Sequence, residues 1–312
     1  MMSSTNPTGA TAVVHEGTWN SISVAIKVFK EFPGGAYDPD SAFGRDLFQE
    51  LTMLHNVGNH PNIVSFFGAV TRSEPRIVLE LVTGPTLERY LHGEIIPGEQ
   101  ANVLLNKLPI ETIAGWTRDL LSGINFMHDR DPCIIHRDLK PANLVLVPDL
   151  SQLKILDFGI GMMVSREDKF TATMSMQSGT CRYMAPEVFN LNVRSNYTEK
   201  ADIYSASLVI WQITTGVRPY DNVSTYDFFD PERREKIRPY VESMTQWPEL
   251  RDLVESAWDS EPENRPSAKE MLLMLSETPR CPPLGAPVSP LLYQTDKDVT
   301  RRSRRCSGCS IC

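Results

Sequence analysis

Short runs rich in β-branched and other apolar residues recur through the first eighty residues. These patterns predict four strands, at Ala10–Trp19, Ser23–Phe29, Ile63–Val70 and Arg76–Val82. Between the second and the third strand, apolar residues recur at helical spacing over Phe43–His55, which predicts an amphipathic helix. The first quarter of the chain is therefore predicted to form a sheet with one helix.

Helical spacing replaces the strand pattern from Thr86 onward. Apolar residues spaced along Ile110–His128 predict a buried amphipathic helix. The segment Ala201–Thr214 is apolar nearly all round, which is typical of a helix in the middle of a core. Two shorter helices are predicted at Leu253–Trp258 and Ala268–Leu275.

The change of pattern divides the chain into parts. We predict an α+β, bilobal fold, with a small β-rich lobe at residues 1–82 and a larger helical lobe at residues 83–278. Residues 93–107 have the pattern of an insertion in the second lobe. Prolines recur after Glu277, so residues 279–312 are predicted to be a disordered tail that is proline-rich, basic and cysteine-containing.

Composition and charge narrow the function and the compartment. The formal net charge of -8 argues against a nucleic-acid binder, which would usually have a basic face. The first residues lack the pattern of a secretory signal, and no apolar run has the length of a membrane span. The six cysteines are either scattered or crowded at the end, unlike a disulfide framework. These features indicate a reducing, cytoplasmic compartment.

Several short motifs carry candidate chemistry. Lys27 ends the strand segment Val24-Ala25-Ile26-Lys27, and Glu50 lies on the following helix, where it can pair with the lysine. Taken alone, Lys27 is more simply explained as a strand lysine that extends its ammonium to water. The pairing with Glu50 favours a role in holding phosphates.

The run from His136 to Asn143 follows the predicted buried helix directly. Asp138 is placed to accept a hydrogen bond from a substrate hydroxyl, Lys140 to reach a transferring phosphate, and Asn143 to bind a metal. Asp157-Phe158-Gly159 follows a short apolar strand, and its carboxylate is a second candidate metal ligand.

Two further segments complete the set. Ala185-Pro186-Glu187 follows the Asp157 segment, and Arg265 is a candidate ion-pair partner of Glu187. Each of these short matches is common by chance, but all of them in one order with these gaps are not.

These motifs together resemble the eukaryotic protein kinase family, from about Val14 to Leu275. The run from Gly179 to Glu187 and the segment from Val14 to Trp19 are most similar to the tyrosine-kinase-like group of Ser/Thr kinases. The resemblance implies an ATP- and Mg²⁺-dependent kinase acting on Ser/Thr hydroxyls of protein substrates.

The resemblance also implies individual roles. Asp138 would be the catalytic base, with Lys140, Lys27 and Glu50 as further catalytic residues. Asn143 and Asp157 would hold Mg²⁺. The residues implied to surround ATP are Gly9, Ala12, Val14, Ala25, Lys27, Leu79 as gatekeeper, Glu80 and Val82 through their backbones, Val145, Asn143 and Asp157.

One part of the family pattern departs from this sequence. The three positions of the glycine-rich loop carry Pro7, Gly9 and Ala12, so only the second is glycine, and the strand expected before the loop is missing or truncated. Pro7 removes a backbone donor, and Ala12 adds a methyl group where the backbone should approach phosphate. The alternative reading is a pseudokinase or scaffold that binds partners.

Regulation by phosphorylation is predicted from Arg137, which precedes the catalytic aspartate. An arginine there usually pairs with a phosphate on the activation segment. Thr173, Ser175 and Ser178 are the candidate acceptors, and an upstream kinase is the implied partner.

The tail raises a separate question. Cys309 is fourth from the end, as in a prenylation signal, and Cys306 is a candidate for palmitoylation after a run of arginines that would attract anionic lipid. One lipid chain with a basic patch holds proteins peripherally at membranes. The alternatives are a solvated charged tail and, ranked last, a cysteine metal site without a fourth ligand.

Overall fold

The computed structural model confirms an α+β fold, with a sheet near the N-terminus and helices in the remainder. It describes residues 12–29, 41–71, 75–92, 108–158, 161–164, 180–189, 198–230, 236–241, 244 and 248–277. Within these residues, no helix is long and apolar enough to cross a membrane.

A four-stranded antiparallel sheet forms the first lobe, in the order β1-β2-β4-β3. Its strands are β1 (Ala12–Trp19), β2 (Ile22–Phe29), β3 (Phe66–Val70) and β4 (Arg76–Glu80). The predicted third strand was too long at its start, because Ile63 instead makes an isolated bridge to Ile155.

The turn between β1 and β2 is tighter than the sequence pattern predicted. Asn20 and Ser21 both have positive φ, 48° and 66°, the geometry of a two-residue hairpin turn. Gly17 lies inside β1, opposite Val24. A Cβ there would come within 2.4 Å of the end of Ile26, so the strand has little room for a side chain.

The helix predicted after β2 is α1, Ala42–Val57. Ser41 caps it by accepting a hydrogen bond from the Gly44 N–H at 2.9 Å. Leu47, Met53 and Leu54 are buried on its inner face. Burial of this face packs α1 into the apolar core and brings Glu50 towards β2.

Seven described helices make up the second lobe. They are α2 (Leu87–Leu91), α3 (Ile110–His128), α4 (Pro186–Phe189), α5 (Lys200–Thr215), α6 (Thr225–Phe229), α7 (Pro248–Ala257) and α8 (Ala268–Glu277). Helix α5 is buried on all sides, as its sequence predicted, and α3 packs against both α5 and α8. The Leu253–Trp258 prediction was too short, because α7 begins at Pro248.

Of the four short strands described in the second lobe, only the one before Asp157 was predicted. The four strands are β5 (Cys133–Ile135), β6 (Leu144–Leu146), β7 (Leu153–Ile155) and β8 (Met162–Val164), which pair as β5 with β8 and β6 with β7. Three residues are too few to display a strand period. These strands nevertheless carry the candidate catalytic segments at their ends.

The segment between α1 and β3 binds the first lobe to β7. The backbone N–H of Ile155 donates to the Asn62 carbonyl at 2.9 Å, and the Val64 N–H donates to the Ile155 carbonyl at 3.0 Å. Asn62 also donates from its side chain to the Leu153 carbonyl, while the Leu153 N–H donates to the Asp119 carboxylate at 2.9 Å. Asp119 therefore holds β7 where the two lobes meet. Burial raises the pKa of Asp119 to about 6.

This raised pKa predicts a pH-dependent gain in stability for Asp119→Asn. The folded protein holds the Asp119 proton more tightly than the unfolded chain, so wild-type stability falls as pH rises from about 4 to about 6. Asparagine does not titrate and still accepts from Leu153. We expect Asp119→Asn to raise the free energy of unfolding by about 1–3 kcal/mol at neutral pH and by almost nothing near pH 4. Urea unfolding at a series of pH values measures this difference.

Asp149 supplies a control of opposite sign. It is exposed, and hydrogen bonds from Ser151 lower its pKa. Asp149→Asn should therefore give no gain in stability above pH 6. A pH-independent effect of Asp119→Asn would contradict the assignment of the raised pKa to this carboxyl group.

Candidate active site

The run from His136 to Asn143 lies between β5 and β6 and surrounds Asp138 with fixed polar contacts. Lys140 Nζ donates to Asp138 Oδ2 at 2.7 Å. Asn143 Nδ2 donates to the same oxygen and to the Asp138 carbonyl, both at 2.8 Å. Asp138 Oδ1 is buried and has no hydrogen-bond partner among the described residues. One carboxylate oxygen is thus held in place, while the other can accept a further hydrogen bond.

Asp202, at the start of α5, holds the backbone of this run. Its Oδ2 accepts from the His136 N–H at 2.8 Å, and its Oδ1 accepts from the Arg137 N–H at 2.9 Å. His128 also contacts Oδ2 at 2.9 Å. Burial alone would raise the pKa of Asp202, but these hydrogen bonds and the nearby histidines outweigh burial and lower it. The side chain is therefore a buried carboxylate.

The contact with Asp202 explains an unusual backbone conformation. Arg137 has a φ of 70°, which a residue with a long side chain rarely adopts. The hydrogen bond to Asp202 holds Arg137 in this conformation, immediately before Asp138. Sequence reasoning missed this role, although an aspartate on an otherwise apolar helix was an available signal.

Lys27, Glu50 and Asp157 meet between the two lobes. Lys27 Nζ lies 2.6 Å from Glu50 Oε1 and 3.7 Å from Asp157 Oδ1. Burial would lower the pKa of Lys27, but the charges of Asp157 and Glu50 outweigh burial and raise it. The ammonium therefore stays charged at neutral pH. The pair predicted from the sequence is present in the structure, and it extends to Asp157.

The segment at Asp157 turns sharply, with a φ of 59° at Asp157 itself. Phe158 is buried and packs against His136, with 5.0 Å between the ring centroids. His136 in turn contacts the Leu156 carbonyl through Nε2 at 2.8 Å. Phe158 therefore fixes Asp157 to the run that contains Asp138.

The sheet register places the predicted ATP-binding residues of the first lobe on one face. Val14 is opposite Lys27 across β1 and β2, and Ala25 is opposite Leu79 across β2 and β4. Directly opposed residues of antiparallel strands share a face, so all four belong to the face that presents Lys27. Ala12 begins β1 opposite Phe29.

The connection between the lobes follows Leu79. The Glu80 N–H donates to the Ser65 carbonyl at 2.9 Å, so the Glu80 carbonyl is the backbone group left for a ligand. The Glu80 carboxylate contacts Lys154 Nζ at 2.7 Å. Val82 lies half-buried in the connection between β4 and α2.

Gly84 allows this connection to approach β6 closely. A Cβ at Gly84 would lie 1.9 Å from the Leu146 carbonyl oxygen, a contact that no side chain could make. Val145, one of the residues predicted to surround ATP, is buried in β6 next to this contact.

The predicted pair between Glu187 and Arg265 is present. The guanidinium makes two hydrogen bonds to the carboxylate, at 2.7 and 2.8 Å. Arg265 is buried and also donates to the Asp259 carbonyl at 2.8 Å and to the Lys200 carbonyl at 3.0 Å. This pair fixes the segment after Thr180 to α5 and to the loop before α8.

The donors at the predicted metal site suit a hard cation. Asn143 uses its amide nitrogen on Asp138, which leaves its carbonyl oxygen as the ligand atom. Asp157 contributes a carboxylate, and its side chain is 49% exposed. Oxygen ligands of this kind are typical of Mg²⁺ sites.

Several predicted residues lie outside the described part of the chain. They are Pro7 and Gly9 in the phosphate loop, Gly159, the insertion at 93–107, the phosphorylation candidates Thr173, Ser175 and Ser178, and the lipidation candidates Cys306 and Cys309.

Comparison with known proteins identifies the family. A model described as the protein kinase domain matches residues 8–274, most of the chain. The chain belongs to the protein kinase family. Membership of this family implies the use of ATP and a divalent metal in general.

Similar kinases support the predicted group. The chain is 35% identical to the probable serine/threonine-protein kinase drkC of Dictyostelium discoideum, over 86% of this chain and 33% of drkC. It is 32% identical to the dual specificity protein kinase shkD of the same organism, over 86% and 33%. It is also 32% identical to mitogen-activated protein kinase kinase kinase 7 of Bos taurus, over 87% and 42%. These relatives agree with the tyrosine-kinase-like group, and the chain spans less than half of each.

Proposed function

We propose that this chain is an active protein kinase that transfers the γ-phosphate of ATP to serine and threonine hydroxyls of protein substrates. The observation that carries the proposal is the organisation of Asp138, with one oxygen held by Lys140 and Asn143 and the other buried without a hydrogen-bond partner among the described residues. The Lys27–Glu50 pair lies in the same cleft, through Asp157.

Each of these residues then has a separate task. Asp138 Oδ1 accepts the hydrogen bond of the substrate hydroxyl and takes its proton as the phosphoryl group transfers. The Lys140 ammonium, 2.7 Å from Oδ2, stabilises the negative charge that develops near it. Lys27 orients the α- and β-phosphates, and Glu50 holds the ammonium for that task.

Nucleotide and metal are held by the remaining residues. Asn143 and Asp157 would hold Mg²⁺ through their oxygen atoms. Bound ATP and Mg²⁺ supply the transferred phosphoryl group and neutralise charge on the phosphate oxygens. The groups assigned to the nucleotide are Val14, Ala25 and Val145 around adenine, Leu79 as gatekeeper, the Glu80 carbonyl and the Val82 N–H as hydrogen-bonding groups, and Gly9 and Ala12 over the phosphates.

Transfer from ATP radiolabelled at the γ-phosphate tests the proposal. The purified chain is incubated with a generic protein substrate, and the labelled amino acids are separated after hydrolysis. We expect label on serine and threonine. Label on tyrosine as well would indicate dual specificity, which is part of the name of shkD. No transfer above a heat-denatured control would contradict the proposal.

A pseudokinase is the second candidate function, favoured by Pro7 and Ala12 at glycine positions of the phosphate loop. Under this alternative, the chain binds protein partners, and the wild type and Asp138→Asn give the same signal. Restoring glycine through Pro7→Gly with Ala12→Gly separates the cases further. We expect this double substitution to lower the KM for ATP in an active kinase.

We also propose that phosphorylation by an upstream kinase activates the chain. The support is Arg137, whose backbone is fixed beside Asp138. A phosphate on Thr173, Ser175 or Ser178 would pair with its guanidinium. Mass spectrometry of the active form locates the modification, and unchanged activity after alanine replaces all three residues would refute the proposal.

For the tail, we propose prenylation at Cys309 and palmitoylation at Cys306, which would attach a cytoplasmic kinase peripherally to membranes. The support is the position of Cys309 and the arginines before Cys306. Fractionation of eukaryotic cells tests it. Cys309→Ser should move the chain from the membrane fraction to the supernatant, whereas a wild type already found wholly in the supernatant would refute the idea.

A further inference from the structure

Two adjacent residues of α1 contact different parts of the molecule. Glu50 pairs with Lys27 of β2 at 2.6 Å. Gln49, the residue before it, donates from Nε2 to the Gly161 carbonyl at 3.0 Å. Gly161 lies just beyond the Asp157 segment, so α1 is bound at one point to the sheet and to the second lobe.

The backbone of Gly161 is held in place by neighbouring contacts. Its N–H donates to the Phe158 carbonyl at 3.0 Å. The residues that follow form β8, which pairs with β5 immediately before the run of Asp138. A Cβ on Gly161 would lie 2.8 Å from the methyl group of Met53, so α1 packs closely over this position. Gln49 therefore contacts backbone that is fixed to the catalytic run.

The C-terminal end of α1 is also attached to the second lobe. Arg130 Nη2, beyond the end of α3, donates to the Val57 carbonyl at 3.1 Å. Val57 lies seven residues after Glu50, or about 10 Å along the helix. A tilt of about 10° around Val57 would displace Glu50 by about 2 Å, enough to break its contact with Lys27. A second attachment near Glu50 prevents such a tilt.

We propose that Gln49 is a positioning residue, which keeps α1 oriented so that Glu50 holds Lys27 in place for phosphate binding. This inference rests on the proposed kinase function. Gln49 touches neither Lys27 nor Asp138 in any contact that the structure gives, so it acts through α1 and Gly161.

Gln49→Ala and Gln49→Glu test the role, because alanine removes the amide and glutamate keeps its size but not its donor. Gln49 is exposed, so both variants keep the core intact. Either variant loses one neutral hydrogen bond. We therefore expect kcat to decrease about three- to tenfold, with a smaller change in the KM for ATP. Phe48→Ala is the matched control, since Phe48 is the neighbouring residue, is 65% exposed and should leave kcat within about twofold.

A double-substitution cycle shows whether Gln49 acts through Glu50. In a Glu50→Gln background the ion pair is already lost, so Gln49→Ala should change kcat by less than about twofold. An undiminished effect in that background would overturn the inference.

Hydrogen–deuterium exchange separates this inference from the kinase proposal. In Gln49→Ala, residues 42–57 should exchange faster while residues 248–257 of α7 stay unchanged, although alanine is the better helix former. If the wild type transfers no phosphate, the kinase proposal fails, and exchange alone decides whether Gln49 holds α1. Unchanged exchange together with unchanged kcat would refute the inference.

Discussion

Asp138→Asn is expected to lower kcat by about a thousandfold, within the range that a general base contributes. The asparagine oxygen would turn towards Lys140 and Asn143, which donate to Asp138 Oδ2 in the wild type. Its NH2 group would then occupy the position of Oδ1, where the substrate hydroxyl needs an acceptor. Steady-state phosphotransfer with a generic Ser/Thr substrate measures the loss.

Binding and stability should change little in this variant. Asparagine keeps the size of aspartate, so the affinity for ATP and the melting temperature are expected to stay close to the wild-type values. Asp149→Asn is the control for activity, because Asp149 is an exposed aspartate in the turn after β6. A fall in kcat of less than about tenfold for Asp138→Asn would contradict its assignment as the base.

Asp202→Ala is expected to have the largest effect on stability. The substitution removes the acceptor of the buried His136 N–H and of the partly buried Arg137 N–H, and it removes the partner of His128. A buried donor or acceptor left without a partner typically costs about 1–3 kcal/mol of unfolding free energy, and Asp202→Ala affects several such groups at once. Chemical denaturation, followed by tryptophan fluorescence, measures this loss.

Activity separates this effect from a general loss of packing. Arg137 depends on Asp202 for its left-handed conformation, so kcat should fall even at temperatures where Asp202→Ala is fully folded. Asp252→Ala is the matched control, because the side chain of Asp252 is 70% exposed and pairs only with neighbouring Arg251 in the contacts that the structure gives. Its stability should stay within about 0.5 kcal/mol of the wild type. Equal effects of the two substitutions would contradict the role of Asp202.

Local sequence patterns were sufficient for the long elements. Helix α3 follows from apolar spacing, because more than four turns give the period room to appear, and α5 follows from a segment that is apolar nearly all round. The short strands β5, β6 and β8 could not be predicted this way, since each has three residues and depends on a partner strand elsewhere in the chain.

The candidate site residues also divide into those that a local sequence motif identifies and those whose role depends on a distant contact. Lys27, Asp138, Asn143 and Asp157 were identified because their motifs occur in one order along the chain. The roles of Gln49 and Asp202 were not identified, because their partners are distant backbone groups at Gly161, His136 and Arg137. Every residue has the same backbone, so the sequence does not show which backbone groups a side chain will contact.

The sequence by itself determined the family, the class of fold and the residues expected to do chemistry, because motif order and apolar periodicity are local properties. The tertiary structure decided how those residues are held. It brings Lys27 to Glu50 and Asp157, places Asp202 under the catalytic run, and joins α1 to Gly161. These contacts span 23 to 130 residues of chain, so only packing of the core can bring their atoms together.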